Sequence, residues 1–503
     1  MTPELPLTEP QRQSPVAVVF ILYRYLKRMV RTFFALILIV AFQQGDNTMT
    51  YVLTGVIAIL AAQLIYALLA YFRYTFYVEG DELIIESGVI GRKRTGIPFD
   101  RIQTISFEQN LFHQALDVVQ LNIDTAGSAQ AELNIDALVR PKAEEIRAFI
   151  LAQKAAMEGE KATDEGEEES STPLPSPVEE QEVIHLGLRD LSLIGITENH
   201  IRTAGILLGG AFSLYQLVEG ESSEAWNKLF DGISDFMIGS SLLLIGSLAL
   251  TLLIVSFVVS LVRTILQYYD FRLWRTEKGF RINAGLFNRR EQAAARNKIQ
   301  LVKWATNPLR QLMGLSTVRL FQASSQEVKR KQAITIPGCQ DAEKHKIVEE
   351  IIPSSDQLDY TEHQISRRYV GRMTLYFGII PAMFFGGITY ANAGLWALAW
   401  LGFVLLIWAA SNRFQKRYRW YINEQTLLIH EGIIASKHTL LAWYKVQSVS
   451  IKQSPYQARK DLADLVLYTA AGDVRIPYIE LRQAESLRDF VLYQVETTKK
   501  DWM

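Results

Sequence analysis

"IIESGVIGRKR" (residues 84–94), "RINAGLFNRRE" (281–291) and "LIHEGIIASKH" (428–438) are one pattern written three times. Each runs from a short apolar stretch into a glycine, and Gly88, Gly285 and Gly432 fall in one column. Without a gap, the same alignment brings Tyr77, Trp274 and Tyr421 together upstream and Ile102, Ile299 and Val446 together downstream. Arg101, Lys298 and Lys445 precede that last column, and Gln103, Gln300 and Gln447 follow it. The unit is long enough to be a domain, so solenoid periods of about 20 to 50 residues do not apply. Around the glycines the residue types are those of strands. Arg73 to Val78 and Leu83 to Ser87 are short runs with β-branched or aromatic residues, and Glu79, Gly80 and Asp81 between them read as a hairpin turn. Asn423, Glu424 and Gln425 take that place in the third copy. Further strands are predicted at Thr104 to Glu108 and Val118 to Asp124, at Leu301 to Ala305 and Ser316 to Gln322, and at Ser448 to Lys452 and Ala463 to Thr469. A helix closes each copy: Ile146, Phe149 and Ile150 follow Pro141 at helical spacing, as do Leu481, Ala484, Leu487 and Val491 near the end. Short antiparallel strands followed by one amphipathic helix predict an open barrel or sandwich whose apolar interior the helix covers.

The chain has 503 residues, room for about three domains. Its 52 lysines and arginines balance 53 aspartates and glutamates to a net charge of −1, which excludes a strongly basic nucleic-acid binder. Mean hydropathy is nonetheless +0.07, because the apolar residues come in blocks. Tyr51 to Phe72 and Phe236 to Val262 carry no charge, and each exceeds the roughly 20 residues that cross a bilayer as a helix. Met373 to Asn412 is also uncharged and too long for one crossing, and Asn392 with Gly394 breaks it into a hairpin of two helices. Thr32 to Phe42 and Thr203 to Val218 read as the first arms of two more hairpins, across loops holding Asp46 or Glu219, Glu221, Glu224 and Asp231. For the first block a secretory leader is the alternative, but no small-residue cleavage site follows Phe42 and the next span starts at Tyr51. Six spans in three hairpins are expected, each hairpin delivering one copy of the repeat. Arg24, Lys27, Arg28, Arg31, Arg73, Arg202, Arg263, Arg367, Arg368, Arg372, Arg413, Lys416, Arg417 and Arg419 flank the spans on one side, which predicts that all three copies face the cytoplasm.

The glycine-centred segments together with "RIQTI", "KIQLV" and "KVQSV" resemble the bacterial pleckstrin-homology-like (bPH) membrane proteins of the YdbT-like family. "NPLRQLMGLSTVRLF" in the second copy is the segment most similar to the family pattern. Leu111 and Asp117 depart from it in the first copy, where the second has Pro308 and Gly314, and the third keeps Pro455 but has Asp461. The resemblance implies three PH-like domains, each a seven-stranded, partly open β-barrel capped by a C-terminal α-helix, a fold that elsewhere binds lipid head groups or peptides. It also implies a homo-oligomer, or a hetero-oligomer with a shorter PH-like membrane protein.

The expected organisation is a basic N-terminal segment (1–31), a first hairpin (32–72) and PH-like domain (73–153), and an acidic linker (154–182). An interfacial helix with the second hairpin (183–262) and domain (263–352) follows, then an interfacial segment with the third hairpin (353–412) and domain (413–496). The linker is glutamate, serine and proline with almost no large apolar residue, so it reads as a solvated tether.

No Walker loop, Rossmann glycine motif, HExxH or GxSxG appears, so no catalytic or cofactor-binding residue is assigned. The seven histidines, His113, His185, His200, His345, His363, His430 and His438, lack metal-ligand spacing, and Cys339 alone supports neither a disulfide nor a cysteine metal site. Charge by copy is more informative. Residues 270–351 hold 16 basic against 8 acidic residues, residues 73–150 hold 8 against 12, and residues 417–495 hold 10 against 8. The candidate contacts to anionic lipid or a partner are therefore Arg289, Arg290, Arg296, Lys298, Lys329, Arg330 and Lys331 of the second copy. The acidic linker is a competing occupant of that face. The expected function is a non-catalytic scaffold or adaptor in the bacterial inner membrane, with membrane lipids as partners and no nucleic acid. Transport of lipid or a small molecule through the bundle of spans is the alternative, disfavoured by spans without ionisable residues.

Overall fold

At Gly88, Gly285 and Gly432 the backbone takes φ of 105°, 108° and 136°, where a side chain is strained. A Cβ at these positions would lie 2.0, 2.2 and 1.8 Å from the carbonyl oxygens of Gly91, Asn288 and Ala435. Only glycine makes this turn, which is why the column repeats.

The computed structural model describes residues 9–27, 48–125, 133–164, 181–219, 242–277, 279–323, 333–353 and 359–498. They fall into two units, one of Met1–Pro177, His185–Arg272 and Ile282–Gln292, the other of Val178–Ile184, Leu273–Arg281 and Ala293–Met503.

The first copy follows helix α1 (Thr48–Arg73). It comprises β1 (Thr75–Glu79), β2 (Glu82–Ser87), β3 (Lys93–Pro98), β4 (Ile102–Gln109), short helix α2 (Leu111–Ala115), β5 (Val118–Thr125), β6 (Leu133–Val139) and the closing helix α3 (Arg140–Asp164). Between copies lie β7 (Gln181–Leu186), α4 (Leu188–Ile196), α5 (His200–Glu219) and α6 (Leu242–Tyr268). The second copy repeats the order as β8 (Phe271–Thr276), β9 (Gly279–Ala284), β10 (Arg289–Ala295), β11 (Ile299–Thr306), α7 (Pro308–Leu312), β12 (Leu315–Gln322), β13 (Ile334–Gln340) and α8 (Asp341–Ile351). Then come β14 (Thr361–Gln364), a long helix made of α9 (Arg368–Thr374), a π turn (Leu375–Ile379) and α10 (Ile380–Ala393), and α11 (Ala399–Arg417). The third copy is β15 (Arg419–Ile422), β16 (Thr426–Glu431), β17 (Ser436–Ala442), β18 (Val446–Lys452), α12 (Pro455–Ala458), β19 (Leu462–Thr469), β20 (Gly472–Glu480) and α13 (Leu481–Thr497).

Shared irregularities show that the three copies are one fold. Each short helix is capped at the same column, where Asn110, Asn307 and Ser454 side chains accept from the backbone N–H of His113, Arg310 and Gln457 at 3.0, 2.8 and 3.3 Å. The residue immediately before the fifth strand is left-handed in all three, with Asp117, Gly314 and Asp461 at φ of 49°, 64° and 51°. Aspartate tolerates that region, so the departures from glycine leave the backbone unchanged. The sixth strand carries a bulge at Ala137, Gly338 or Tyr478, at φ of 53°, 65° and 54°.

No closed barrel forms. The sheets are open, and β1-β2-β3 and β18-β19-β20 are separate three-stranded sheets. In the first unit β6, β5 and β4 continue onto β10 of the next copy, through Gln109↔Arg289, Glu108↔Arg290 and Phe107↔Glu291. β10 leads on to β9, β8 and β7. In the second unit the order is β13-β12-β11-β17-β16-β15-β14, with Thr306↔Ser436, Ala305↔Lys437 and Trp304↔His438 across the join. The repeat alignment maps one set of pairs onto the other, so both junctions use one register. In the first two copies the edge that would close the barrel is taken by the following copy, which relieves it of unpaired backbone groups.

Within the first copy the half-sheets bury Phe76, Leu83, Ile85, Ile105, Leu121 and Ile135 against each other and against Ala143, Ile146 and Ile150 of α3. The third copy buries Trp420, Leu427, Trp443, Leu465, Ile476, Ala484 and Val491 in the same way. The strand that completes each copy precedes the apolar helices. It is β14 in the third copy, paired to β15 through His363↔Trp420, and only a single bridge, Gln11↔Phe76, in the first. Residues 183–186 and 361–364, expected in membrane-surface segments, and 181–182, expected in the linker, are thus strands, held by pairing that local periodicity does not reveal.

Six spans are not supported. Among the described residues three helices are long and apolar enough to cross a bilayer: Ala249–Tyr268, Arg368–Asn392 and Gly394–Arg417. The last two are the expected third hairpin. Tyr51 to Phe72 does form a helix, but the apolar stretch described in it is the shorter Ile57–Arg73. Thr203 to Val218 lies in α5, which is not among these three, and Thr32 to Phe42 lies outside the described residues.

Candidate functional site: a basic pocket at the first junction

The register of β4 on β10 brings the start of β10 beside the first copy's closing helix. A pocket of about 200 Å³ opens there, lined by Phe107 and Gln109 of β4, Val119 of β5, Arg140 at the start of α3, Tyr269 and Asp270 after α6, and Gly285, Arg289, Arg290 and Glu291. It sits at the end of a candidate span, because Leu286 N–H donates to the Leu266 carbonyl at 3.0 Å and Gly285 N–H to the Tyr269 carbonyl at 2.9 Å. Those N–H groups cap carbonyls that the last turn of a helix leaves unsatisfied.

The carboxylates at the pocket are already engaged. Glu291 accepts from Arg147 at 2.8 Å, with both side chains mostly buried, and the Arg147 guanidinium also lies 5.4 Å from the centre of the Phe107 ring. Asp270 is 3.0 Å from Arg272 and 3.3 Å from His185. Arg140 bonds Glu144 one turn along α3 at 3.0 Å, and Arg290 stands 3.8 Å from Glu108 across the strand pair, an exposed contact worth at most about 1 kcal/mol. Arg289 is exposed and has no carboxylate partner among the described residues. The pocket therefore offers one uncompensated guanidinium flanked by two weakly held ones, an arrangement suited to a phosphate or carboxylate ligand.

Of the seven basic residues picked out by sequence, Arg289 and Arg290 line this pocket. Arg296 is in an ion pair with Glu350, which also meets Arg275 at 2.7 Å, so two guanidiniums share one carboxylate within the second copy. Lys298 is half-buried, and its carbonyl accepts from Ala323 N–H at 2.9 Å. Lys329, Arg330 and Lys331 lie outside the described residues. Sequence reasoning did not select Arg140, Tyr269 or Asp270. Arg140 has Asp341 in the corresponding place of the second copy, so no repeated column marks it.

Elsewhere the chemistry is sparse. Cys339 is fully buried, which raises its thiol pKa and keeps it from acting as a thiolate. No group of three or more histidine, cysteine or acidic residues is placed to hold a metal ion among the described residues. His438 stacks between Trp304, at 5.0 Å and 7°, and His430, at 4.4 Å and 12°, in the second junction. A second cavity, of about 340 Å³, lies at the end of α11 among Trp408, Asn412, Arg413, Lys416 and Arg417.

A sequence-family model described as Bacterial PH domain matches residues 30–154, 233–353 and 375–495, more than half the chain, and each match begins in the apolar segment ahead of the strands. The UPF0699 transmembrane protein YdbT of Bacillus subtilis is 27% identical over 333 residues, 66% of this chain and 66% of that protein, so the similarity stops just short of two thirds of its length. The UPF0699 transmembrane protein YdbS of the same organism is 26% identical over 113 residues, 22% of this chain and 71% of the shorter protein. None of these descriptions mentions a catalytic activity.

Proposed function

The chain belongs to the bacterial PH domain family, a membrane protein carrying that domain three times, and from this premise we propose that it is a non-catalytic scaffold holding anionic lipid head groups at its second copy. The observation that carries the reading is Arg289: exposed, without a carboxylate partner among the described residues, and set with Arg290 and Arg140 in a pocket at the end of the span Ala249–Tyr268. A cation near an anionic leaflet gains about 1 kcal/mol, and the pocket adds direction to that attraction. In this reading the three copies lie on the cytoplasmic face of the bacterial inner membrane, where the anionic lipid is. Lys298, Lys329, Arg330 and Lys331 supplement the contact, whereas Arg296 contributes less because its guanidinium is held by Glu350.

The test is native mass spectrometry of the full chain released from nanodiscs containing phosphatidylcholine and phosphatidylglycerol in equal parts. The wild type is expected to retain phosphatidylglycerol, and a variant with Arg289→Glu and Arg290→Glu to lose it while remaining folded. Equal retention by both would remove the proposal.

A further inference from the structure

Each junction also presents large apolar side chains to the outside, beside a helix end. In the first, Gln109 opposite Arg289 places α2 next to the turn before β10, and Gln114 Nε2 donates to the Leu286 carbonyl at 3.0 Å. Phe112, Leu111 and Phe287 on this platform are 52%, 50% and 45% exposed. In the second, Thr306 opposite Ser436 places α7 next to the turn before β17. Leu312, Ile434 and Leu309 there are 86%, 69% and 53% exposed. An exposed apolar patch on a soluble face is a liability, and its recurrence at both junctions in the same register calls for a common occupant.

The hydrogen bonds name that occupant. The first turn is bonded through Leu286 N–H to Leu266, in the last turn of the span ending at Tyr268. The second is held by the final turns of α11: Arg413 Nε donates to the Ile433 carbonyl at 2.7 Å, and Arg417 Nη1 to the Ile433 and Ile434 carbonyls at 3.2 and 3.3 Å. Two different bonding solutions fasten the two turns to the ends of candidate spans, and the end of a span lies at the bilayer surface. Trp408, Arg413, Lys416 and Arg417 gather at the same end, the residue types that settle among lipid head groups.

We infer that the two platforms, the α2 helix with the Phe287 turn and the α7 helix with the Ile434 turn, insert their apolar side chains into the interfacial layer of the bilayer their own spans cross. The junctions then serve as wedges that hold the copies against the surface. This contact is apolar, so it needs no anionic lipid and stands independently of the Arg289 pocket.

The experiment uses the full chain in zwitterionic phosphatidylcholine vesicles. Single cysteines at Leu312→Cys, Ile434→Cys and, as control, Asp473→Cys carry an environment-sensitive NBD label, and unsubstituted protein, whose Cys339 is buried, is the labelling blank. Asp473 is exposed and belongs to the β19–β20 hairpin, at the end of β19 away from the short helix α12. Labels at 312 and 434 are expected to emit at shorter wavelength than at 473 and to be quenched by spin-labelled lipid roughly twofold more. Water-like, equally quenched emission at all three sites overturns the inference. So does a blue shift at 312 and 434 that spin-labelled lipid leaves unquenched, since protein would then cover the platforms. Addition of phosphatidylglycerol is expected to leave the quenching unchanged, so the head-group proposal can fail without this one failing.

Discussion

Acidification should loosen the second junction through one side chain. His438 lies in β17, stacked between Trp304 of β11 and His430 of β16. Burial, with lesser contributions from the charges of His430 and Lys344, lowers its pKa from 6.5 to about 4. At neutral pH the side chain is uncharged in both folded and unfolded chains and contributes nothing to the pH dependence. Below 6.5 the unfolded chain binds a proton that the folded one refuses, so stability falls with pH until the folded pKa is passed. At about pH 4.5 the loss from this group is about 2–3 kcal/mol. Other groups titrate in the same range, so the quantity to measure is a difference. His438→Phe keeps an aromatic ring in the stack and removes the proton site. Denaturant midpoints of wild type and variant in nanodiscs, at about pH 7.5 and pH 4.5, are expected to show the wild type losing about 2–3 kcal/mol more than the variant on acidification. Parallel pH dependence of the two proteins would refute the reasoning.

Gly432→Ala forces a side chain onto φ of 136° with its Cβ 1.8 Å from the Ala435 carbonyl oxygen, and about 3 kcal/mol of stability should be lost, read as a lowered melting temperature. Asp464 is buried and accepts from Gln457 Nε2 at 2.8 Å and from Tyr478 N–H at 2.9 Å, so it fixes the left-handed bulge of β20. Asp464→Ala is expected to cost about 3 kcal/mol and to speed amide exchange at Tyr478 in hydrogen-exchange mass spectrometry. Trp443→Phe removes the 2.9 Å bond from its indole N–H to the Asn423 carbonyl and part of a buried ring, for about 2 kcal/mol in a urea titration of the solubilised chain.

The glycine column and the strands with β-branched residues are legible in the sequence because the turn excludes every other residue and the strands are short apolar runs of β-branched and aromatic residues bounded by turn residues. The third strand of the first two copies is not, since "KRTGIP" and "RREQAAA" have little strand character, and the first of them is held by six pairs to the strand before it. The pairing between copies is invisible for a deeper reason. A strand's partner is set by register and by which edges remain free, and neither leaves a local periodicity. The bulges at Ala137 and Tyr478 are hidden too, because neither residue type announces a positive φ. Block charge singled out Arg289 and Arg290, while Arg140 and Asp270 join them only through the fold. It also singled out Arg296, whose ion pair with Glu350 no local sequence pattern announces.

The most direct measurement is cryo-electron microscopy of the full chain in nanodiscs containing phosphatidylglycerol. Head-group density within hydrogen-bonding distance of Arg289, joined by Arg290 and Arg140, is the predicted result. A pocket without such density, with Arg289 turned onto a protein carboxylate, would contradict the account.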